Sequence, residues 1–581
     1  MSPAYDLILR NGIVFDGTGR PGVHADLGIA EGRVRALQPH LPGQGTREID
    51  VAGRWIMPGF FDLHTHYDAE VEALPGLSES VRHGVTSVVF GNCSLSAALG
   101  TSEQLLDLFC RVESLPRELL TRWFGGGIPW NSVTGYYNHL ETLPLGPNVA
   151  SFLGHSNVRM AVMGTERSLH QPHATDEELG RMRDIVKEAM DAGYLGLSID
   201  MLPWHRMDGQ AYRGISVPSQ QAHPSEHALL ADIVRDHGRV LQATPNALTK
   251  STVLRLLGYS TGLGRRPLKT TIVAAMDVKT DRKVWRLALA LAQIANRLLE
   301  ADIRWQALAE PFLNYCDGVI TPLFEEFPAG VEAISATPEA RRALLGDPEF
   351  RRRFRAEWED TGQRVFHRDL GQMHVVSAPD SALVGRSFAD IARESGQEPL
   401  DGFLDLLARY DTELRWRTEV SNDRSGPRLR LLGHPYTLPG FNDSGAHNRN
   451  MAFHDGALQL LAQAQAHPEE LPIARAVHRL TGETAAWLGL DAGRLREGDV
   501  ADVTVLDPER LRSGLGGPVE YPDPELGGVM RLVKRSDGVV TQVLIGGQVV
   551  YEGQTFVPDY GRRKYGRLLR AGHAAAGATN H

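Results

Sequence analysis

Two histidines set one residue apart end an apolar run near the start of the chain, in the segment GFFDLHTHYD. Residues i and i+2 of a β-strand point to the same side of a sheet, so His64 and His66 would present two imidazoles to one point in space. Neutral imidazole is the commonest metal ligand among protein side chains. The spacing therefore predicts a metal site at the end of this strand.

Three more residues with useful chemistry stand at the ends of apolar runs. Cys93 follows VTSVVFG in the piece GNC, His155 follows VASFLG in the piece GHSNVR, and Asp443 ends LPGFND. Imidazole, thiolate and carboxylate together suit a borderline-soft divalent ion, for which zinc is the first expectation. His155 would either orient a ligand of the ion or pack in the core.

The elements that must position these residues alternate between short apolar runs and stretches of helical periodicity. Eight runs are predicted strands, at residues 60–64, 85–91, 149–154, 194–200, 239–244, 270–275, 304–309 and 438–443. Such alternation is typical of βα units, and eight strands predict an α/β protein built on a closed (β/α)8 barrel of the TIM type. Functional side chains of these barrels lie at the C-terminal ends of the strands, where the histidines, Cys93 and Asp443 stand.

The chain divides into a terminal unit, a barrel with an insertion, and a tail. Both ends are rich in short strands and glycine turns, so residues 1–57 and 485–560 are predicted to pair as a small β-sandwich domain. The barrel takes residues 58–484. Residues 310–437 are too long for a βα loop, so we expect an insertion that covers the barrel mouth and supplies substrate contacts. Residues 561–581 are predicted to be a frayed tail.

The composition is that of a globular enzyme, with 42% hydrophobic and 23% charged residues, and it excludes a disordered or fibrous protein. The formal net charge is -10 with both signs interspersed, so neither nucleic acid nor a membrane is an expected partner. The N-terminus lacks the features of a signal peptide, which predicts a cytoplasmic protein. The three cysteines, Cys93, Cys110 and Cys316, provide neither a disulfide framework nor a CxxC zinc motif.

Several segments resemble the N-acyl-D-amino-acid deacylase (D-aminoacylase) family of the amidohydrolase superfamily. These segments are PGFFDLHTHYD, VTSVVFGNCS, FLGHSNVR, AGYLGLSIDM, GRSFADIARESGQEPLDGFLDLL and LPGFNDSGAH. The resemblance extends over nearly the whole chain and implies a TIM-like barrel, a small β-sandwich and metal-assisted hydrolysis of an amide. It also implies that His64 and His66 are metal ligands, that Cys93 is a metal-bridging ligand and that Asp443 is the catalytic aspartate.

Two histidines of the family pattern are missing. The family places one after strand five, where QATPN has Pro245, and one after strand six, where AMDVK has Asp277. Proline has no side-chain ligand, whereas a carboxylate oxygen of Asp277 could bind the ion. We therefore expect at most one tightly held ion, zinc or another divalent metal, bound by the histidine pair with Asp443 or Cys93.

These residues predict a metal-dependent hydrolase that cleaves the C–N amide bond of an N-acyl amino acid or a related small acylated amine. A metal-activated water would attack the carbonyl, and Asp443 would act as general base and then as acid. Lys279, Arg449 and His155 are the candidate substrate-binding residues, the first two for a substrate carboxylate. A small molecule is thus the expected partner, and a homo-oligomer is left open.

Other interpretations stay open at this stage. The same hydroxide attack would serve a cyclic amide or a lactone. A non-catalytic paralogue, whose metal site has decayed at the two missing histidine positions, is the alternative from a different class. Each residue also has a purely structural interpretation. Cys93 could be a small apolar residue of the core, and Asp443 could cap a turn. Lys279 and Arg449 could be charged residues that face the solvent.

Overall fold

The computed structural model describes residues 4–209, 211–246, 249–362 and 364–572 of the chain. Eight strand positions, numbered here β1 to β8, succeed one another along its middle, and three of them are interrupted by one residue. They are Phe60–Asp62 with His64–Thr65 (β1), Val85–Phe90 (β2), Asn148–Ser151 with Leu153–Gly154 (β3), Gly196–Asp200 (β4), Val240–Thr244 (β5), Lys269–Ile272 (β6), Asp302–Ala307 (β7), and Thr437–Pro439 with Phe441–Ser444 (β8).

Each of these strands pairs in parallel with the next one along the chain. The last position, β8, pairs in parallel with β1 through Phe441 and His64, so the pairing returns to its starting strand. Every residue of β2, β4 and β5 is buried, as expected of parallel strands that are covered on both faces. This parallel ring, the set β1 to β8, brings the C-terminal ends of all its strands to one side of the molecule.

Helices connect successive strands of the ring, and three more, between residues 456 and 488, follow β8. Their bounds are Glu70–Ala73, Ser78–Val81, Ser102–Phe109, Cys110–Ser114 (a π-helical turn), Arg117–Phe124, Val133–Thr142, His155–Met163, Thr165–His170, Asp176–Ala192, Pro218–Gln221, Pro224–Asp236, Lys250–Ser260, Val284–Leu298, Gly456–Ala466, Ile473–Leu480 and Gly482–Leu488. The helix Asp176–Ala192 begins with a capping box between Thr175 and Glu178 and ends at Gly193, whose φ of 96° suits glycine. No helix in the described ranges has the length and apolar character needed to cross a bilayer.

Strands from both ends of the chain lie in one nine-stranded sheet. The N-terminal strands are Tyr5–Val14, Val23–Ala30, Arg33–Gln38, Gly45–Asp50 and Trp55–Pro58, and the C-terminal ones are Val503–Leu506, Val540–Ile545, Gln548–Glu552 and Thr555–Phe556. The two groups meet where Trp55–Pro58 pairs antiparallel with Val503–Leu506. Between the C-terminal strands, the helix Pro508–Ser513 precedes a separate hairpin of Pro518–Asp523 and Val529–Lys534.

The segment 310–437 has a three-stranded antiparallel sheet and an apolar core of its own. Its strands are Phe312–Asp317, Met373–Ser377 and Arg415–Ser421, and its α-helices are Pro322–Glu325, Pro328–Ser335, Pro338–Gly346, Pro348–Glu359, Phe388–Glu394, Pro399–Tyr410 and Ser425–Gly433. Glu325 pairs with Arg111 and Arg206, which follow β2 and β4, and the carbonyl of Val420 accepts a hydrogen bond from Lys279 N, after β6. The insertion therefore contacts loops at the C-terminal ends of the ring strands.

The residues just after the terminal sheet are bound to the ring. Tyr565 N donates to the Leu145 carbonyl, Leu569 N to that of Val149 and Ala571 N to that of Gly193, at 2.8–2.9 Å. The Leu569 and Ala571 side chains are buried. The prediction of a frayed tail is therefore wrong for residues 562–572, because apolar burial and backbone hydrogen bonds hold them, and residues 573–581 lie outside the described ranges.

Candidate metal centre

His64 and His66 lie at the C-terminal end of β1 and are almost completely buried. The His64 Nδ1–H donates a hydrogen bond to Oε1 of Gln306, from β7, at 2.7 Å. The lone pair of the neutral ring is then on Nε2, which is the nitrogen that can bind a metal ion. Burial lowers the pKa of His64 to about 3, so its ring is neutral at physiological pH. A neutral, oriented imidazole is the form that binds a metal ion.

Cys93 approaches the same point from the turn that follows β2. Its Sγ lies 3.4 Å from Nε2 of His64 and accepts a hydrogen bond from the Thr244 hydroxyl at 3.2 Å. Its backbone has a φ of 51°, which is costly for a residue with a Cβ, and its N–H is held by Oε1 of Gln242 at 2.8 Å. Burial raises the pKa of the thiol well above its usual value, and a bound cation would reverse this because it stabilises the thiolate.

Asp443 completes the group from β8. Its Oδ1 lies 3.6 Å from Nε2 of His64 and 3.4 Å from Nε2 of His66. Burial opposes ionisation of this carboxyl, but the hydrogen bond to His66 and the two imidazoles outweigh it and hold the pKa well below its usual range. The Asp443 side chain is 14% exposed while that of His64 is fully buried, so the carboxylate is the member of the group that faces open space.

The spacing of these donors fits one divalent ion. Two ligands bound tetrahedrally to zinc at about 2.0–2.3 Å lie roughly 3.3–3.8 Å apart, which matches the distances from Nε2 of His64 to Sγ of Cys93 and to Oδ1 of Asp443. The ligand atoms of His64, His66 and Cys93 all lie within 4.8 Å of one another, and Oδ1 of Asp443 lies within 3.6 Å of Nε2 of both histidines. The ring thus gathers the four residues expected to bind the metal.

The structure does not bring Asp277 into this group, and the suggestion that it is a ligand is wrong. Its buried carboxylate accepts two hydrogen bonds from Arg424, at 2.6 and 2.7 Å, and one from Arg282 at 3.0 Å. Two guanidinium groups therefore use the oxygens that a metal would need. Pro245 directly follows β5, so the positions of both missing histidines lack a free ligand.

The predicted substrate-binding residues are also engaged by the protein itself. Lys279 Nζ lies 2.9 Å from Oε1 of Gln372 and 3.1 Å from Glu419, and Arg449 makes two hydrogen bonds of 2.9 Å to Asp317. His155 is fully buried and bonded through its two ring nitrogens to Ser219 at 3.0 Å and Glu226 at 2.8 Å. Each of the three groups thus has a protein partner of complementary charge or polarity, and their role in substrate binding stays a prediction.

A pair formed by the buried Asp200 and the partly buried His205, at the end of β4, was not predicted from the sequence. His205 Nδ1 hydrogen-bonds to Oδ2 of Asp200, whose other oxygen accepts from Leu202 N at 2.6 Å. Burial lowers the pKa of His205, but the Asp200 carboxylate outweighs it and raises the pKa above its ordinary value. Asp200 pairs in register with Thr244, next to Pro245. The pair thus stands beside the position of the missing strand-five histidine, and its place at a strand end was the available signal.

His447 is a second residue that the sequence analysis did not assign. It follows Asp443 by four residues in the SGAH piece, has a φ of 48°, and burial lowers its pKa to about 4. The charges of Asp443, His205 and Arg111 all act on it. Arg111 comes from the π-helical turn, a feature common at functional sites, and its Nε donates to Oε1 of Glu325 at 2.9 Å.

The chain is similar to a known protein family and to several known proteins. Residues 47–241 match the model of an amidohydrolase family. An uncharacterised protein of Mycobacterium tuberculosis is 41% identical over 593 aligned positions, which cover 98% of this chain and 97% of that protein. An N-acyl-D-aspartate deacylase of Alcaligenes xylosoxydans xylosoxydans is 34% identical over 517 positions, covering 87% of this chain and 86% of the enzyme.

Solved structures share the fold at lower identity. A D-aminoacylase, described by one-metal activation and second-metal attenuation of its binuclear centre, superposes with a TM-score of 0.62 at 23% identity, over 97% of this chain and all of that one. An N-acyl-D-glutamate deacylase of Bordetella bronchiseptica, complexed with zinc and a phosphonate mimic of the tetrahedral intermediate, gives 0.63 at 21% identity, over 98% and 100%. At these identities the likeness concerns the fold alone.

Proposed function

Because this chain belongs to the amidohydrolase superfamily and is D-aminoacylase-like, we propose that it hydrolyses the amide bond of an N-acyl amino acid or a related small acylated amine. The observation that carries the proposal is that the ligand atoms of His64, His66 and Cys93 lie within 4.8 Å of one another while Asp443 lies within 3.6 Å of both histidines. A decayed, non-catalytic relative would have no reason to keep four ligand atoms at metal-binding distances.

These four residues would hold one ion, and zinc is the proposed metal. A bound divalent ion polarises a carbonyl and lowers the pKa of a coordinated water towards neutrality. The lack of free ligands at Pro245 and Asp277 supports a single ion, as does the one-metal activation described for the D-aminoacylase neighbour.

Asp443 would move the proton. Its carboxylate is ionised over the neutral range and is the exposed member of the group, so it can accept a proton from the attacking water and return it to the departing nitrogen. His205, whose pKa is raised by the Asp200 carboxylate, would be a second proton donor on the side of the missing histidines.

For the architecture, we propose that the parallel ring is a TIM-type (β/α)8 barrel of residues 58–484. The return of the parallel pairing from β8 to β1 supports it. The terminal sheet would belong to a β-sandwich domain of residues 1–57 and 485–560, and the insertion at 310–437 would cover the mouth and contribute substrate contacts. The contacts of Glu325 and Val420 with the loops after β2, β4 and β6 support this placement.

An activity screen over N-acyl D- and L-amino acids, with metal content measured in parallel, tests the proposed function. We expect hydrolysis of at least one N-acyl amino acid, loss of activity on chelation, and one ion per chain in the active protein. A protein that retains full activity after metal removal, or that hydrolyses only cyclic amides or lactones, would contradict the proposal. Two ions per chain at full occupancy would contradict the single site.

His205→Gln is expected to lower kcat by about 10²-fold, because a positioned proton donor contributes 10²- to 10⁴-fold in general acid catalysis. Metal content should not change. Wild-type kcat should fall as pH rises through the pKa of His205, and this fall should be missing in the variant. His237→Gln, at a partly exposed histidine whose Nε2 lies 3.5 Å from Asp191 and which precedes the N-terminal end of β5, is the control. An unchanged pH profile would rule out proton donation by His205.

A further inference from the structure

Two arginines share one carboxylate beside the metal group. Oε1 of Glu325 accepts a hydrogen bond from Nε of Arg111 at 2.9 Å, and its Oε2 lies 3.3 Å from Nε of Arg206. Nη1 of Arg111 and Nη2 of Arg206 donate no hydrogen bond to a described residue, and the two side chains are only 17% and 19% exposed. Two guanidinium cations with one carboxylate leave one positive charge unbalanced.

Arg206 stands next to a residue of the candidate catalytic group. It directly follows His205, on which the charges of Asp443 and Glu325 both act. Consecutive Cα atoms are about 3.8 Å apart, so the arginine and the histidine leave the loop after β4 at neighbouring points. The carboxylate that pairs with the two arginines therefore lies on the side of the metal group where His205 stands.

Arg111 approaches from the loop after β2. It lies in the π-helical turn Cys110–Ser114, and its charge acts on His447. The carbonyl oxygen of Glu113, in the same turn, accepts hydrogen bonds from N of Asn448 at 3.4 Å and from Nδ2 of the same residue at 2.8 Å. These bonds fix the turn to the loop after β8, so Arg111 is positioned before a ligand binds.

A cavity of about 560 Å³ opens between the loop after β4 and the insertion, and Arg206 and Glu325 line it. Its walls also include Arg213, Phe327, Val331 and Ser335. Pockets that bind small molecules commonly measure roughly 300–1,000 Å³. The cavity is therefore large enough for a small acylated amino acid, and its charged wall would meet an anionic group.

The other charged residues that line the cavity each have a partner of opposite charge. These pairs are Arg213 with Asp208 at 3.2 Å, Glu326 with Arg368 at 3.6 Å, and Glu332 with Arg353. The unbalanced positive charge thus belongs to Arg111 and Arg206. Burial lowers the pKa of Arg206 and outweighs the opposing effect of Glu325, so the guanidinium lacks full compensation for the water that it has lost.

We propose that Arg111 and Arg206 bind a carboxylate of the amino-acid part of the substrate, and that they thereby select N-acyl amino acids over acylated amines that lack a carboxylate. This inference rests on the proposed amide hydrolysis. A guanidinium presents a planar fork of N–H donors that matches the two oxygens of a carboxylate. Glu325 uses one edge of each fork and holds the two arginines side by side, and the remaining donors are left for the substrate.

Two pairs of compounds test the inference and identify which carboxylate is bound. The first pair is an N-acetyl amino acid with a neutral side chain and its C-terminal amide, which differ in the α-carboxylate. The second pair is N-acetylaspartate and N-acetylasparagine, which differ in the side-chain carboxylate. We expect wild-type kcat/KM to be about 10- to 100-fold lower for the uncharged member of one pair, as for the loss of a charge-assisted hydrogen bond.

Arg111→Gln and Arg206→Gln should each raise KM for the charged compound of that pair about tenfold, with little change in kcat, and should remove most of the preference. Arg206→Lys keeps the charge but lacks the fork, so it should retain more of the preference than Arg206→Gln. It remains informative if a glutamine variant is unstable. Arg353→Gln, at a half-exposed arginine of the insertion that pairs with Glu332, is the control and should change neither constant.

Metal content and the unfolding temperature, measured on each variant, separate a loss of substrate binding from a loss of the metal site or of the fold. A wild-type protein that hydrolyses both members of both pairs equally well would overturn the inference and leave the proposed function standing. Glutamine variants that keep the full preference would do the same. A metal-loaded protein that hydrolyses none of the four compounds would contradict the proposed function, and the inference with it.

Discussion

Asp443→Asn is expected to lower kcat by at least about 10²-fold while the fold and most of the bound metal are retained. Asparagine keeps the size of aspartate and one ligand oxygen but has no basicity, so proton transfer is lost, and general acid–base catalysis contributes about 10²- to 10⁴-fold. The measurement is kcat on the substrate found in the screen, with metal content and the unfolding temperature determined on the same sample.

The position of Asp443 makes this substitution informative. Its Oδ1 is shared between His64 and His66, and its side chain is the exposed part of the metal group. Asp491→Asn, at a carboxylate that is 87% exposed and away from the metal group, is the control and should have no effect. If Asp443→Asn hydrolyses the substrate at nearly the wild-type rate, another group must take the proton. Asp277 would be a poor substitute, because Arg282 and Arg424 hold its carboxylate.

His64→Ala is expected to remove metal and activity together. The substitution deletes a ligand that is oriented by Gln306, and loss of one ligand from a small site weakens metal binding steeply. Metal content by mass spectrometry and kcat should fall in parallel. Addition of excess zinc should restore part of the activity if the remaining ligands still converge.

A histidine-to-alanine substitution also leaves a cavity, so a buried histidine outside the metal group provides the matched control. His83 is as buried as His66, and burial lowers its pKa to about 4, close to the value for His64. His83→Ala should therefore cost similar stability, a few kcal/mol at most, but should retain the ion. Full metal occupancy in His64→Ala would show that the ion binds elsewhere.

The amino-acid sequence by itself determined the order of the strands and the residues that are proposed as metal ligands. Parallel strands buried on both faces are short apolar runs, and their C-terminal ends meet on one side of a ring of βα units, so His64, His66, Cys93 and Asp443 could be assigned from their positions alone. The HxH spacing needed only the two-residue period of a strand.

Only the tertiary structure decided which polar groups near the site already have a protein partner. Asp277, Lys279 and Arg449 have the right chemistry for ligand or substrate binding. Apart from Arg282, which is five positions from Asp277, their partners lie between 93 and 147 positions away along the chain, and no local pattern reports them. The Asp200–His205 pair is the reverse case, because the two residues form no recognisable sequence motif. They form a hydrogen-bonded pair only because the turn after β4 brings them together. The periodicity of strands and helices depends on residues that are close in the chain, so it can be recognised in the sequence. Which groups bind each carboxylate depends on residues that are distant in the chain and meet only in the folded protein.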